Sequence, residues 1–87
     1  MRLQNKIAIV TGAGGGFGEG VAKRFAQEGA KVAVVDIREA EAQRVAGEIG
    51  AAAIAIKADV GDAADVQRVV DETKSKFGAP NILVNNA

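Results

Sequence analysis

The hydrophobic positions along this chain switch between two periods. Lys6–Thr11 (KIAIVT) is a short apolar run stopped by glycines, the pattern of a strand buried on both faces. Phe17, Val21 and Phe25 then recur every four residues, with Ala22 and Ala26 beside them. That spacing predicts a helix over 17–28 whose core face carries those residues, with Gly29 as its stop. Lys31–Asp36 (KVAVVD) predicts a second strand. Ala42, Val45, Ala46 and Ile49 form one stripe of a second helix over 39–49, ended by Gly50. Ala53–Asp59 (AIAIKAD) predicts a third strand. Asp62 is placed to cap a third helix with Val66, Val69, Val70, Thr73 and Phe77 on its buried stripe, ending at Gly78-Ala79-Pro80. Ile82–Val84 opens a fourth strand.

The resulting order, β-α-β-α-β-α-β with short connections, implies an α/β fold with parallel strands and right-handed crossovers. Composition narrows the chemistry. Eleven basic and eleven acidic side chains cancel, and no basic block stands out, which argues against a nucleic-acid or anionic-membrane partner. Cysteine, histidine, tyrosine and tryptophan are all missing from the 87 residues. Disulfides, thiolate zinc sites, serine–histidine pairs and tyrosine acids are therefore excluded within them. No apolar run approaches the length of a signal core or membrane span. Alanine supplies 18 of the 42 hydrophobic residues, so the core is expected to be thin. The charged faces (Lys23, Arg24, Glu28; Arg38, Glu39, Glu41, Arg44, Glu48) read as solvated surface.

Five of the eleven glycines lie between Gly12 and Gly18, where the first strand enters the first helix. A turn built from Gly12, Gly14, Gly15, Gly16 and Gly18 lets a pyrophosphate approach backbone N–H groups at a helix N-terminus. Asp36 ends the second strand, where a carboxylate can accept both hydroxyl hydrogens of an adenosine ribose. A Walker loop fails, because Val21 stands where its lysine is needed. The G-x-G-x-x-G fingerprint fails at every start. T-G-x-x-x-G-x-G fits, at Thr11, Gly12, Gly16 and Gly18. Gly20, inside the helix, is read as permitting close packing on the first strand.

With that motif the sequence resembles the short-chain dehydrogenase/reductase superfamily. Asp59-Val60 after the third strand and Asn85-Asn86-Ala87 after the fourth match the family's order and spacing, the latter as the start of its N-N-A-G motif. The resemblance implies that Gly12, Gly14, Gly16, Phe17 and Gly18 line the pyrophosphate and that Asp36 holds the ribose. It places Ile37, Asp59 and Val60 beside adenine, and Asn86 and Ala87 near the nicotinamide ribose. Asp59 could equally serve a turn, and Asn85 and Asn86 could brace the sheet. The family's serine, its Tyr-x-x-x-Lys pair and its later asparagine have no counterpart here; Ser75, the one serine, falls in the third helix. The chain stops inside N-N-A-G, so it reads as the N-terminal part of a longer enzyme, with no catalytic residue within 1–87.

The reading is thus a partial Rossmann domain, strand order 3-2-1-4, occupying 1–87 and binding NAD at the strand ends. By resemblance the parent is a cytoplasmic, homo-oligomeric oxidoreductase interconverting an alcohol and a carbonyl, of the 3-oxoacyl reductase or polyol dehydrogenase type. NAD is favoured over NADP because a 2′-phosphate would meet the Asp36 carboxylate while Gly15 and Ile37 offer no charge, although Arg38 could swing toward a phosphate. A non-catalytic NAD-binding module and an S-adenosylmethionine-binding domain are the alternatives.

Overall fold

The computed structural model describes residues 2–86. Seven elements follow one another: β1 (Ile7–Thr11), α1 (Gly16–Gln27), β2 (Lys31–Asp36), α2 (Glu39–Ile49), β3 (Ala53–Lys57), α3 (Ala63–Lys76) and β4 (Ile82–Asn85). All strand pairs are parallel, in the order β3-β2-β1-β4. The expected Rossmann-like topology is therefore present. β3 stops two residues before its expected end, because its last partner, Asp36, pairs with Lys57 and closes β2.

The sheet divides its side chains by parity. Val10, Val32 and Val34 face α1 and α2, where they pack with Ala22, Ala42, Val45 and Ala46. Ile9, Ala33, Val35 and Ile56 face the other way, onto Val69 of α3. This split follows from the topology. The chain moves outward from β1 through β2 to β3, then returns across β1 to β4, and a right-handed return puts its helix on the opposite face. The turning point lies between β1 and β4, so a crevice opens at the C-terminal ends of those strands.

The core is built of small residues. Its largest fully buried side chains are Val10, Val32, Val34, Val35, Val45 and Thr73. Each such valine contributes about 1.5–3 kcal/mol. The first face has two helices to cover it, whereas the second has α3 alone. An apolar groove remains between α3 and β4, lined by Val60, Val66, Val69, Val70 and Leu83. Leu83 is 69% exposed. Val66 of α3 departs from its expected stripe for this reason and is exposed; Phe17, at the start of α1 on the other face, is also 76% exposed instead of joining the core.

Residues 1–87 produced by themselves are expected to self-associate and to melt broadly, because that face and the β4 edge are uncovered. Leu83→Glu should reduce the association. Sedimentation and thermal melting check this; a monomer with a sharp melt in the unmodified chain would contradict it.

Candidate functional site

The end of β1 is tied to the end of β4 through one hydroxyl. Thr11 Oγ1 donates toward Asn85 Oδ1 at 3.0 Å, with the Val84 carbonyl oxygen at 3.3 Å, and accepts the Asn86 N–H at 3.1 Å. Asn86 Nδ2 in turn donates to the Gly12 carbonyl at 3.3 Å. The Asn85-Asn86 pair therefore does brace the sheet. Thr11 is the residue whose part the sequence reading passed over, although it opens the matched motif.

The glycine turn then brings α1 back against β1. Gly12 has φ +61°, and a Cβ there would run into the Asn86 carbonyl. A Cβ at Gly18 would strike the Gly12 carbonyl, so the first turn of α1 touches the backbone of the loop itself. Gly16 has φ +56° with open space around it. Gly14 is buried and points elsewhere: its N–H donates to Asp36 Oδ2 at 2.9 Å, and a Cβ would stand 2.7 Å from that same oxygen. Gly20 corrects its expected role. Nothing lies within 4 Å of a Cβ built there, so it packs on nothing.

The N-terminus of α1 begins at Gly16 with Gly15 as N-cap and receives no side-chain cap. Its first N–H groups keep their capacity for an acceptor from outside, where the helix dipole favours an anion.

Asp36 lies across the turn from this helix end. Burial works to raise its carboxyl. The Arg38 guanidinium and the N–H groups of Arg38 and Gly14 outweigh burial and hold it below the ordinary carboxylate value. It is therefore ionised at neutral pH. One depression gathers Gly12, Asp36, Ile37, Asp59, Val60 and Asn86. Gly14, Gly16, Phe17 and Gly18 do not line it: Gly14 and Gly18 are buried, while Gly16 and Phe17 are exposed. Ala87 lies outside the described residues. Asp59 also closes a turn, accepting the Gly61 N–H at 2.9 Å, while its own N–H donates to Asp65 Oδ2 at 2.8 Å.

The charged helix faces are more organised than plain solvated surface. Arg44 of α2 donates to Glu19 of α1 at 3.0 Å, to Glu41 and Glu48 on its own helix, and to the Gly14 carbonyl at 3.3 Å. Lys23 joins Glu19 to Glu48. Hydrogen bonds from Arg44 and then Lys23 lower the Glu19 carboxyl to about 2. Sequence periodicity marks these residues as polar but not as partners across two helices. Among the described residues no cluster of carboxylates forms a metal site, and no helix is long and apolar enough to cross a membrane.

A family model for short chain dehydrogenases matches residues 6–87. The chain belongs to the short-chain dehydrogenase family. Within that family it is 52% identical over its whole length to galactitol 2-dehydrogenase of Agrobacterium fabrum and 46% identical to sorbitol dehydrogenase of Cereibacter sphaeroides. It spans 34% of the length of each. Among solved structures, 3-ketoacyl-(acyl-carrier-protein) reductase from Brucella melitensis complexed with NADH superposes with a TM-score of 0.96 at 60% identity, over 98% of this chain and 35% of that one. Hydroxysteroid dehydrogenase from Escherichia coli gives 0.94 at 42% identity, over 99% and 38%.

The dehydrogenase-type turn makes two contrasting glycine variants informative. Gly18→Ala should destabilise the fold and weaken dinucleotide binding, because backbone blocks its Cβ. Gly20→Ala should leave binding unchanged and add up to about 1 kcal/mol of stability. Thermal melts with a cofactor titration check both. Acid should act through Glu19. A carboxyl depressed in the fold stabilises above its ordinary value of 4.5, and that contribution disappears as pH falls toward about 2. Glu19→Gln should therefore flatten the loss of melting temperature between pH 5 and pH 2.

Proposed function

We propose that residues 1–87 are the NAD-binding part of an oxidoreductase that interconverts an alcohol and a carbonyl. The observation that carries this reading is the juxtaposition of an uncapped helix N-terminus with an ionised strand-end carboxylate across a glycine turn. In this reading the N–H groups at Gly16, Phe17 and Gly18 take the pyrophosphate, Gly12 lets the turn bend toward it, and Gly14 acts indirectly, by seating the loop on Asp36. Asp36 accepts the adenosine ribose hydroxyls. Ile37, Asp59 and Val60 flank adenine, and Asn86 with Ala87 reaches toward the nicotinamide ribose. The fit is physical. Side chains at Gly12 or Gly18 would collide with the backbone carbonyls of Asn86 or Gly12 and force the turn apart, and the exposed Ile37 offers an apolar wall beside the acid.

The bound dinucleotide would supply hydride transfer. This chain's own residues bind and orient it. They include no tyrosine or histidine to hold the substrate proton, so residues 1–87 alone should show no turnover. The relatives named for galactitol and sorbitol favour a polyol or similar secondary alcohol as substrate of the full-length protein. The 3-ketoacyl reductase at 60% identity makes a ketoacyl thioester the competing substrate. We extend the reading to a homo-oligomeric enzyme working in the cytoplasm.

NAD is the proposed cofactor, because a 2′-phosphate at Asp36 would face like charge. A relative 60% identical to this chain was solved with NADH, which supports the same choice. Calorimetric titration of the full-length protein should give tighter binding of NAD than of NADP and no binding of S-adenosylmethionine. Asp36→Ala should weaken NAD about tenfold and narrow the preference, in line with the loss of charge-assisted hydrogen bonds worth about 1.5–3 kcal/mol. Equal or tighter NADP binding by the unmodified protein would sink the assignment.

A further inference from the structure

Asp36 has both carboxylate oxygens engaged, and its contacts are of two kinds. Two come from the main chain: the Gly14 N–H donates to Oδ2 and the Arg38 N–H to Oδ1, each at 2.9 Å. The other two come from the Arg38 side chain, with Nε donating to Oδ1 at 3.1 Å and Nη2 to Oδ2 at 3.4 Å. A guanidinium fork across two carboxylate oxygens uses the lone pairs that a vicinal diol would use. The Arg38 side chain is 59% exposed, whereas Asp36 is 5% exposed, so the fork lies between the carboxylate and solvent. It also lies against the glycine turn: a Cβ at Gly15 would stand 3.3 Å from Nη2.

We infer that Arg38 is a specificity-determining residue of the cofactor site, a built-in competitor for Asp36 that a ribose diol must displace and that a ribose 2′-phosphate recruits. This rests on the proposed role of Asp36 as the ribose acceptor. The two main-chain donors keep the carboxylate in place when the guanidinium leaves, so displacement does not dismantle the loop. An ion pair with one partner largely in solvent is weak, which makes the exchange easy and the effect on affinity a few-fold. For an unphosphorylated ribose, Arg38 is only an obstacle. For a 2′-phosphate it is the cation already in contact with the acid, and it offsets part of the repulsion from Asp36. Arg38 thereby narrows the discrimination that Asp36 sets.

The test is titration of the full-length protein and three variants with NAD and with NADP. Arg38→Gln removes the charge and leaves the backbone N–H in place. It should bind NAD about two- to fivefold tighter and NADP about fivefold or more weaker. Arg38→Lys keeps the charge without the fork; it should tighten NAD while holding NADP affinity within about twofold. Asp36→Ala separates this inference from the reading beneath it. If Asp36→Ala weakens NAD while Arg38→Gln leaves NAD or NADP affinity unchanged, the competitor role is overturned and the ribose role stands. If NAD affinity ignores Asp36→Ala, the ribose role falls, and the role of Arg38 falls with it.

Discussion

The contact on which the site depends is backbone against backbone. The first turn of α1 rests on the carbonyl of Gly12, at a distance that leaves no room for a Cβ on Gly18. This contact sets how far α1 can lean over the end of β1, and so where its unpaired N–H groups point. It also requires Gly12 to bend with positive φ, which frees the Gly12 carbonyl to meet Asn86 Nδ2. The strand at the far side of the crevice is thereby tied to the same few atoms. Thr11 completes the tie from below. A threonine suits the place because its branched carbon fits a strand while its hydroxyl both donates and accepts.

Much of this was legible because two periods coincide with one topology. Alternation of short β-branched runs with stripes of spacing three and four gave seven elements in the observed order, and the distance from Gly18 to Asp36 matched a single βαβ unit. What periodicity cannot tell is how much of a helix face a neighbour covers. Phe17 and Val66 sit on well-formed stripes yet stay exposed, the first in the opening turn of α1 and the second beside an uncovered part of the sheet. Nor does spacing reveal why a glycine is present. Gly18 and Gly20 lie two positions apart on one helix, and one is locked against backbone while the other faces open space. Arg38 and Arg44 read as surface charge: the partner of Arg38, Asp36, stands only two residues back but is met through the bend of the chain after β2, and the partner of Arg44, Glu19, is met only once α2 docks beside α1.

The ends of α1 and α3 are treated differently. Both α1 and α3 follow strands whose ends border the same depression. α3 is satisfied internally: Asp62 accepts from the Ala64 N–H at 2.8 Å and from the Asp65 N–H at 3.3 Å, so its dipole already has a carboxylate on it. α1 has no such cap, and a glycine stands where one would be. Its one acidic residue in the first turn, Glu19, could oppose an incoming phosphate. Arg44 and Lys23 hold that carboxylate in ion pairs reaching over to α2 and screen its charge. The same Arg44 donates to the Gly14 carbonyl, so neutralising Glu19 and steadying the turn are one interaction. α2 thus acts on a helix end it does not cap: its Arg44 offsets the one carboxylate in the first turn of α1, while the first N–H groups of that helix have no side-chain acceptor.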